Sequence, residues 1–536
     1  MASTTEDPLL KSSLSSISSL MALQLFSRLF TFILNQALFR LASPSAFGAA
    51  AIQFELILST ILFLSREGVR NALLRVNKDS SDTMRKRMNL AFLPIVLGAP
   101  LALGTSFLYA RFSSQEMKAQ PHFYMAISLY ALAAFTELLS EPMHNTAMSR
   151  LLTGVRVRAE GFSITIKSVV TFLVLLLDAR SGRGNLALLA FAIGQLAYAT
   201  TLFLAYISHF GTDMFSSLSQ HYLPIDDGRR DDLLDGNLLK LALTMMSQSV
   251  IKHFLTEGDK MVLSWYSPLR DQGGYAIAVN YGSLIARIVF QPIEETLRMF
   301  FSKTISVTND KGRIKAEALK QSSVTLLSLL TIQTSFSLIF VIFATAYLPI
   351  LLPILLPPQY LATSAPTVLA AWVWYIPVLA FNGGLEAFLS SVATPADLNK
   401  QSRWMIGFSV VYISTAIFLY SLDIGDASLV YANVINLSAR IIYCLAFVVQ
   451  FFAKSSPPQS FRHPFLEIAG RLWAICHSHP DKRKFLRSDS DSGKRRTIRF
   501  VQDTHPDTRR TWRHFNNRLY SGVVGLRRTF PIATRT

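Results

Sequence analysis

Residues 286–303 read "ARIVFQPIEETLRMFFSK", and they continue without a turn residue from "YAIAVNYGSLI" (275–285), a stretch apolar enough for a membrane interior. In a helix, Arg287, Gln291, Glu294, Glu295 and Arg298 lie along one side, because residues three and four apart share a face. Ile288, Val289, Ile293 and Leu297 fall elsewhere. Ionisable side chains inside a bilayer face a bundle interior or an aqueous cavity, so the stripe must meet other polar groups. The stretch predicts one helix of a membrane bundle built around a polar cleft.

Composition extends this reading to the whole chain. Of 536 residues, 51% are hydrophobic and 16% charged, with mean hydropathy +0.33; soluble domains carry about 25% charged residues. An all-α polytopic membrane protein is expected. Apolar stretches near the roughly 20 residues needed to span a bilayer centre on 17–39, 47–64, 89–110, 122–140, 160–178, 186–208, 238–264, 275–297, 323–352, 366–392, 404–422 and 428–452. The fifth contains Lys167, and the ninth is expected to be interrupted by Pro349 and Pro353. The first 13 residues, "MASTTEDPLLKSS", lack the basic region and cleavage site of a removable leader, so the first apolar stretch is expected to act as an uncleaved signal anchor. Cys444 and Cys476 form no disulfide framework.

Basic residues concentrate in the connections after even-numbered spans, among them Arg66, Arg70, Arg75, Lys78, Arg85, Lys86 and Arg87, then Arg150, Arg156 and Arg158, then Lys311, Arg313 and Lys315. The positive-inside rule places both termini in the cytoplasm.

The chain also reads as two halves. Without gaps, Arg28 falls on Lys252, Phe30 on Phe254, Ser43 on Ser267 and Pro44 on Pro268; after a four-residue insertion, Phe47 falls on Tyr275, Glu67 on Glu295 and Arg70 on Arg298. Six spans per half enter the membrane in the same direction, which predicts two six-helix lobes related by a pseudo-two-fold axis along the membrane normal, around a central cleft. The expected divisions are a cytoplasmic segment (1–13), an N-lobe (14–210), a cytoplasmic linker (211–235), a C-lobe (236–452) and a basic cytoplasmic tail (453–536). The polar stripes of the second and eighth spans, with Arg28 and Lys252 midway along the spans before them, are expected to converge on the cleft.

The stretches "QLFSRLFTFILN" (24–35), "LFLSREGVRNALL" (62–74), "LTEGDKMVL" (255–263), "DQGGYAIAVNYGSLIARIVFQPIEE" (271–295) and "FFSK" (300–303) resemble the Rft-type proteins, a branch of the multidrug/oligosaccharidyl-lipid/polysaccharide flippase superfamily. The likeness covers residues 15–450. It implies a multi-pass protein of the endoplasmic reticulum membrane that handles the dolichol-diphosphate-linked oligosaccharide Man5GlcNAc2 for N-glycosylation. That lipid is built on the cytoplasmic face and extended on the lumenal face, so the protein either translocates it or assists, among membrane lipid and the enzymes of that pathway. The family usually continues with two further membrane helices. Here residues 453–536 hold 18 Lys and Arg against 6 acidic residues and no spanning stretch. That tail reads as a gene-model artefact, or as a segment drawn to anionic lipid; no nucleic-acid motif accompanies its charge.

With such a substrate, Arg28, Arg66, Arg70, Lys252 and Arg287, with Gln291, are candidates for the diphosphate and glycan, because guanidinium groups bind phosphate bidentately. The same cations could instead neutralise Glu67, Glu257, Glu294 and Glu295 between packed helices. Gly258 is expected to loosen the seventh span or to mark its lumenal end, Glu386 and Arg440 to line the cleft or pair with each other, and Arg298 to sit at the eighth span's mouth. Glu137 and Glu141, ahead of Pro142, are expected to mark a helix end, and the sequon at Asn436 to stay unglycosylated within a helix. No cofactor or metal is expected. A small-molecule exporter would favour a carboxylate where the first span has Arg28, and a polytopic glycosyltransferase would need catalytic acids in a first lumenal loop that reads "RLASPSAFG".

Overall fold

The computed structural model describes residues 33–73, 81–150, 152–182, 184–211, 236–305 and 316–455, and every regular element among them is helical. Residues 33–41 form α1, and most of the expected first span lies outside the described residues. The ten helices long and apolar enough to cross a membrane are α2 (Pro44–Leu73), α3 (Ser81–Phe112), α4 (Phe123–Ser149), α5 (Thr153–Ser181), α6 (Ala187–Phe210), α8 (Leu269–Ile305), α9 (Ala316–Leu355), α10 (Ala365–Val392), α11 (Pro395–Ser421) and α12 (Ala427–Ser455). Between α6 and α8 lies α7, in two parts: α7a (Gly236–Thr256) and α7b (Gly258–Tyr266). The chain is an all-α, multi-pass membrane protein.

One expectation about these helices changes. The prolines at 349 and 353 do not interrupt the ninth span; α9 runs through both, because prolines four apart remove N–H groups from one face while the rest of the ladder holds the helix. The seventh span breaks at Glu257 (φ −94°, ψ 6°), directly before Gly258, and resumes as α7b. The Glu257 N–H reaches His253 O at 2.9 Å on one side of the break, and Met261 N–H reaches Glu257 O at 3.0 Å on the other. The fifth span holds Lys167 at its centre, and α5 continues for 14 residues on either side of it.

Packing follows residue size. Helices α2 and α8 both start after Ser-Pro and cross at their first turns. A Cβ on Gly48 would stand 2.3 Å from Leu269 O, and one on Gly273 2.0 Å from Pro44 O, so only glycine permits this backbone approach. Farther along α2, a Cβ on Gly68 would lie 2.7 Å from Ala242 O, which brings α7a against α2. Thus α7a packs chiefly on α2, and α7b packs on α11 and on the first turns of α2. Helix α10 is the most buried of the ten, packed against α8, α9 and α12. Helix α9 instead exposes Leu338, Ile342, Phe343 and Ile350, side chains suited to lipid.

Candidate functional site

One face of α2 carries Glu55, Ser59, Leu62, Arg66 and Arg70, spaced three or four residues apart, and all five line a cavity of about 670 Å³. Asn35 of α1, Glu137 of α4, Lys167 and Ser168 of α5, Gln195 and Tyr198 of α6, and His253 and Glu257 of α7 complete much of its wall. A smaller volume of about 270 Å³ shares Asn35, Glu55, Lys167 and Ser168 with it and reaches Asn280 of α8. An ionisable side chain at mid-membrane costs about 2.5–3.5 kcal/mol to insert, so each must be compensated by a partner, by water or by a ligand.

The α2 arginines have partners that the sequence reading did not assign. Arg66 Nη1 donates to Glu137 Oε1 at 2.7 Å and to Glu141 Oε1 at 3.1 Å, and Arg70 Nε donates to Glu141 Oε2 at 2.8 Å. Glu141 is fully buried and Glu137 nearly so. These acids mark the expected helix end, flanking the turn at Ser140 within α4, and they also serve as the arginines' partners. Glu67, the neighbour of Arg66 in sequence, instead accepts from Asn71 Nδ2 at 3.1 Å. Adjacent residues on a helix point apart, so Glu67 could not have been the partner. A signal was present: two acids four residues apart on α4 match two arginines four residues apart on α2.

The stripe of α8 behaves differently. Arg287, Gln291, Glu295 and Arg298 are exposed, and none of them lines the 670 Å³ cavity. Arg287 Nη2 donates to Asn280 O at 3.0 Å, and Gln291 Nε2 to Glu295 Oε1 at 3.3 Å. Glu294 turns toward α10, its carboxylate occupying the place of a Cβ on Gly383. The 670 Å³ cavity is walled by α1, α2 and α4–α7, and the smaller volume continues it to Asn280 of α8, whose carbonyl accepts from Arg287. Helix α8 buries its glycines and tyrosines and leaves the stripe exposed. Arg28 lies outside the described residues, as does the side chain of Lys252, whose backbone is in α7a.

Glu386 and Arg440 pair with each other, Arg440 Nε donating to Glu386 Oε1 at 2.9 Å and tying α12 to α10. Glu257 lines the cavity and meets Lys260 Nζ at 2.7 Å. His253, buried, stands 3.0 Å from Thr60 Oγ1 and stacks on Phe63 with ring centroids 4.5 Å apart, which fastens α7a to the cavity wall. Lys167, whose Nζ lies 2.6 Å from Gln195 Oε1, was not foreseen as a site residue. A lysine centred in an apolar helix, with a glutamine in the next, was its only trace in the sequence. Asn436 lies inside α12 and donates to Asn433. Among the described residues, no three His, Cys, Asp or Glu side chains gather as metal ligands.

A polar cavity walled by membrane helices is shared by many transporters, so the comparison with known proteins decides the family. The model of the Rft protein family matches residues 12–481. The chain belongs to the Rft family. That match runs past residue 450, where the likeness read from the sequence ended, and so includes the first part of the basic tail. Among Rft relatives, the Man(5)GlcNAc(2)-PP-dolichol translocation protein RFT1 of Yarrowia lipolytica is 36% identical, covering 84% of this chain and 72% of the relative. The proteins of that name from Schizosaccharomyces pombe (32% identical, 88% and 89% covered) and Saccharomyces cerevisiae (30%, 85% and 86%) are also similar. Among solved structures, the lipid II flippase MurJ in an inward closed conformation aligns with TM-score 0.49 at 14% identity, covering 86% of this chain and 93% of that one. An inward-facing multidrug resistance MATE family transporter of the MOP superfamily aligns with TM-score 0.46 at 12% identity, covering 81% and 100%.

Proposed function

We propose that this protein carries the dolichol-diphosphate-linked oligosaccharide Man5GlcNAc2 from the cytoplasmic to the lumenal leaflet of the endoplasmic reticulum membrane, for N-glycosylation. The observation that carries the reading is the polar cavity of about 670 Å³ inside the membrane helices of an Rft-family chain. Its amides and Tyr198 are the groups that sugar hydroxyls require, and its basic lining supplies the charge that phosphate requires, while the lipid-facing surface of the bundle leaves the dolichol chain in the bilayer. Two lobes about a pseudo-two-fold axis would open and close this path, with the Gly48–Gly273 crossing as the closed end in this conformation. Loop charge orients that end toward the lumen and the Arg70 end toward the cytoplasm, with both termini cytoplasmic. The basic tail would lie along the anionic cytoplasmic surface. Nothing in this chemistry makes or breaks a covalent bond, so the protein acts as a transporter and not as an enzyme.

Reconstitution tests this. Purified protein is placed in vesicles with labelled dolichol-diphosphate oligosaccharide, and the fraction in each leaflet is followed with a membrane-impermeant glycan probe. Exchange between leaflets that depends on the protein is expected. Specific binding without exchange would identify a non-transporting accessory factor for the same lipid.

A further inference from the structure

The geometry points to Lys167 of α5, held by Gln195 of α6, as the phosphate-binding subsite of this cavity, where the diphosphate linkage of the lipid substrate would dock; the assignment rests on the function proposed above. Among the described residues, the Lys and Arg side chains that line the cavity are Arg66, Arg70 and Lys167. Both arginines are committed to Glu137 and Glu141. Lys167 forms no ion pair among the described residues; its Nζ meets the neutral Gln195 amide oxygen at 2.6 Å. An ammonium has three N–H donors, so two remain for a ligand.

Its position suits an anion in transit. Lys167 sits 14 residues from either end of α5, at mid-membrane, and it lines both the larger and the smaller volume. A cation at that depth is costly without a partner, and a neutral amide does not supply one. The local fold fixes the pair in place: a Cβ on Gly194 would stand 1.9 Å from Thr171 Oγ1 and 3.2 Å from Lys167 O, so α5 and α6 touch beside Gln195, which is 3% exposed. Glu55 lines the same two volumes from α2, beyond ion-pair distance from Lys167. Its charge opposes an anion there, and the pair sets how tightly a phosphate is held before release.

Full-length protein in nanodiscs tests the subsite through direct binding of the dolichol-diphosphate oligosaccharide, of dolichol alone, and of inorganic diphosphate as competitor. Lys167→Gln should weaken the phosphorylated lipid about tenfold or more and leave dolichol binding unchanged, while Lys167→Arg should retain most of the affinity. Gln195→Glu should weaken it as well, by giving Lys167 an internal counter-ion, and Glu55→Gln should strengthen it. Competition by inorganic diphosphate that Lys167→Gln removes would show that the phosphate alone suffices; lipid-only binding with the same dependence on Lys167 would show that the tail is also needed. If the wild type binds the phosphorylated lipid and folded Lys167→Gln binds it equally, the subsite is wrong and the transport reading stands. If the wild type does not prefer the phosphorylated lipid over dolichol, the functional reading itself fails.

Discussion

Arg66 of α2 donates to Glu137 of α4 across 2.7 Å, although 71 residues of chain separate them. The contact joins two membrane helices through charges that neither could carry into the bilayer alone. It also gives Arg66 a structural task in this conformation.

Glu141 should therefore be the costliest of these charges to remove. It receives both Arg66 and Arg70, and its loss leaves two half-buried guanidinium groups partly unpaired, at up to about 3–5 kcal/mol, the cost of breaking a fully buried pair. Glu141→Ala should lower the Tm of detergent-purified protein more than Glu137→Ala, which leaves Arg66 one acceptor. Equal Tm values for the two variants would contradict the shared geometry.

Gly273→Val should separate the first turns of α2 and α8, since even a Cβ would stand 2.0 Å from Pro44 O. Expected is loss of growth support in a yeast strain deficient in its own Rft protein, with protein abundance measured alongside. Gly104→Ala, in open space on α3, should grow as wild type.

The link between α10 and α12 can be measured as a coupling. Glu386→Gln and Arg440→Gln each strand a charge, whereas the double variant removes both, so the two losses should not add. A coupling of about 0.5–3 kcal/mol in a double-mutant cycle of unfolding is expected; additivity would mean the pair contributes nothing.

Orientation can be read with glycosylation. A sequon engineered between Ser113 and Gln120, in the connection from α3 to α4, should be modified in microsomes, because loop charge puts it on the lumenal side. The native Asn436, inside α12, should not be. Modification of Asn436, or a silent engineered site, would reverse or refute the assigned topology.

Arg28→Ala and Arg287→Ala should impair growth of the deficient strain at normal abundance if these cations contact the substrate at some stage of its path. Arg111→Ala, at the exposed end of α3, should be tolerated. Equal growth of all three would confine substrate contacts to the α2–α7 cavity.

The amino-acid sequence by itself determined the membrane-spanning helices, because burying apolar residues in lipid forces the backbone to satisfy its own hydrogen bonds and makes a helix local to each stretch. It also carried the family, through blocks such as residues 255–263 and 271–295, and the tension between charge and burial that marked Arg66, Arg70, Arg287 and Arg440 as residues needing partners. Which partner each one found was a tertiary matter. Arg66 and Arg70 met Glu137 and Glu141 only because α4 turns at Ser140 beside α2, and Lys167 reached Gln195 only because Gly194 lets α5 and α6 touch. The rotation of α8, which exposes the stripe from Arg287 to Arg298, is set by the glycine contact with α2 at one end and by Glu294 lying over Gly383 at the other. Periodicity says which residues share a face of a helix; which way that face turns depends on the shapes of its neighbours.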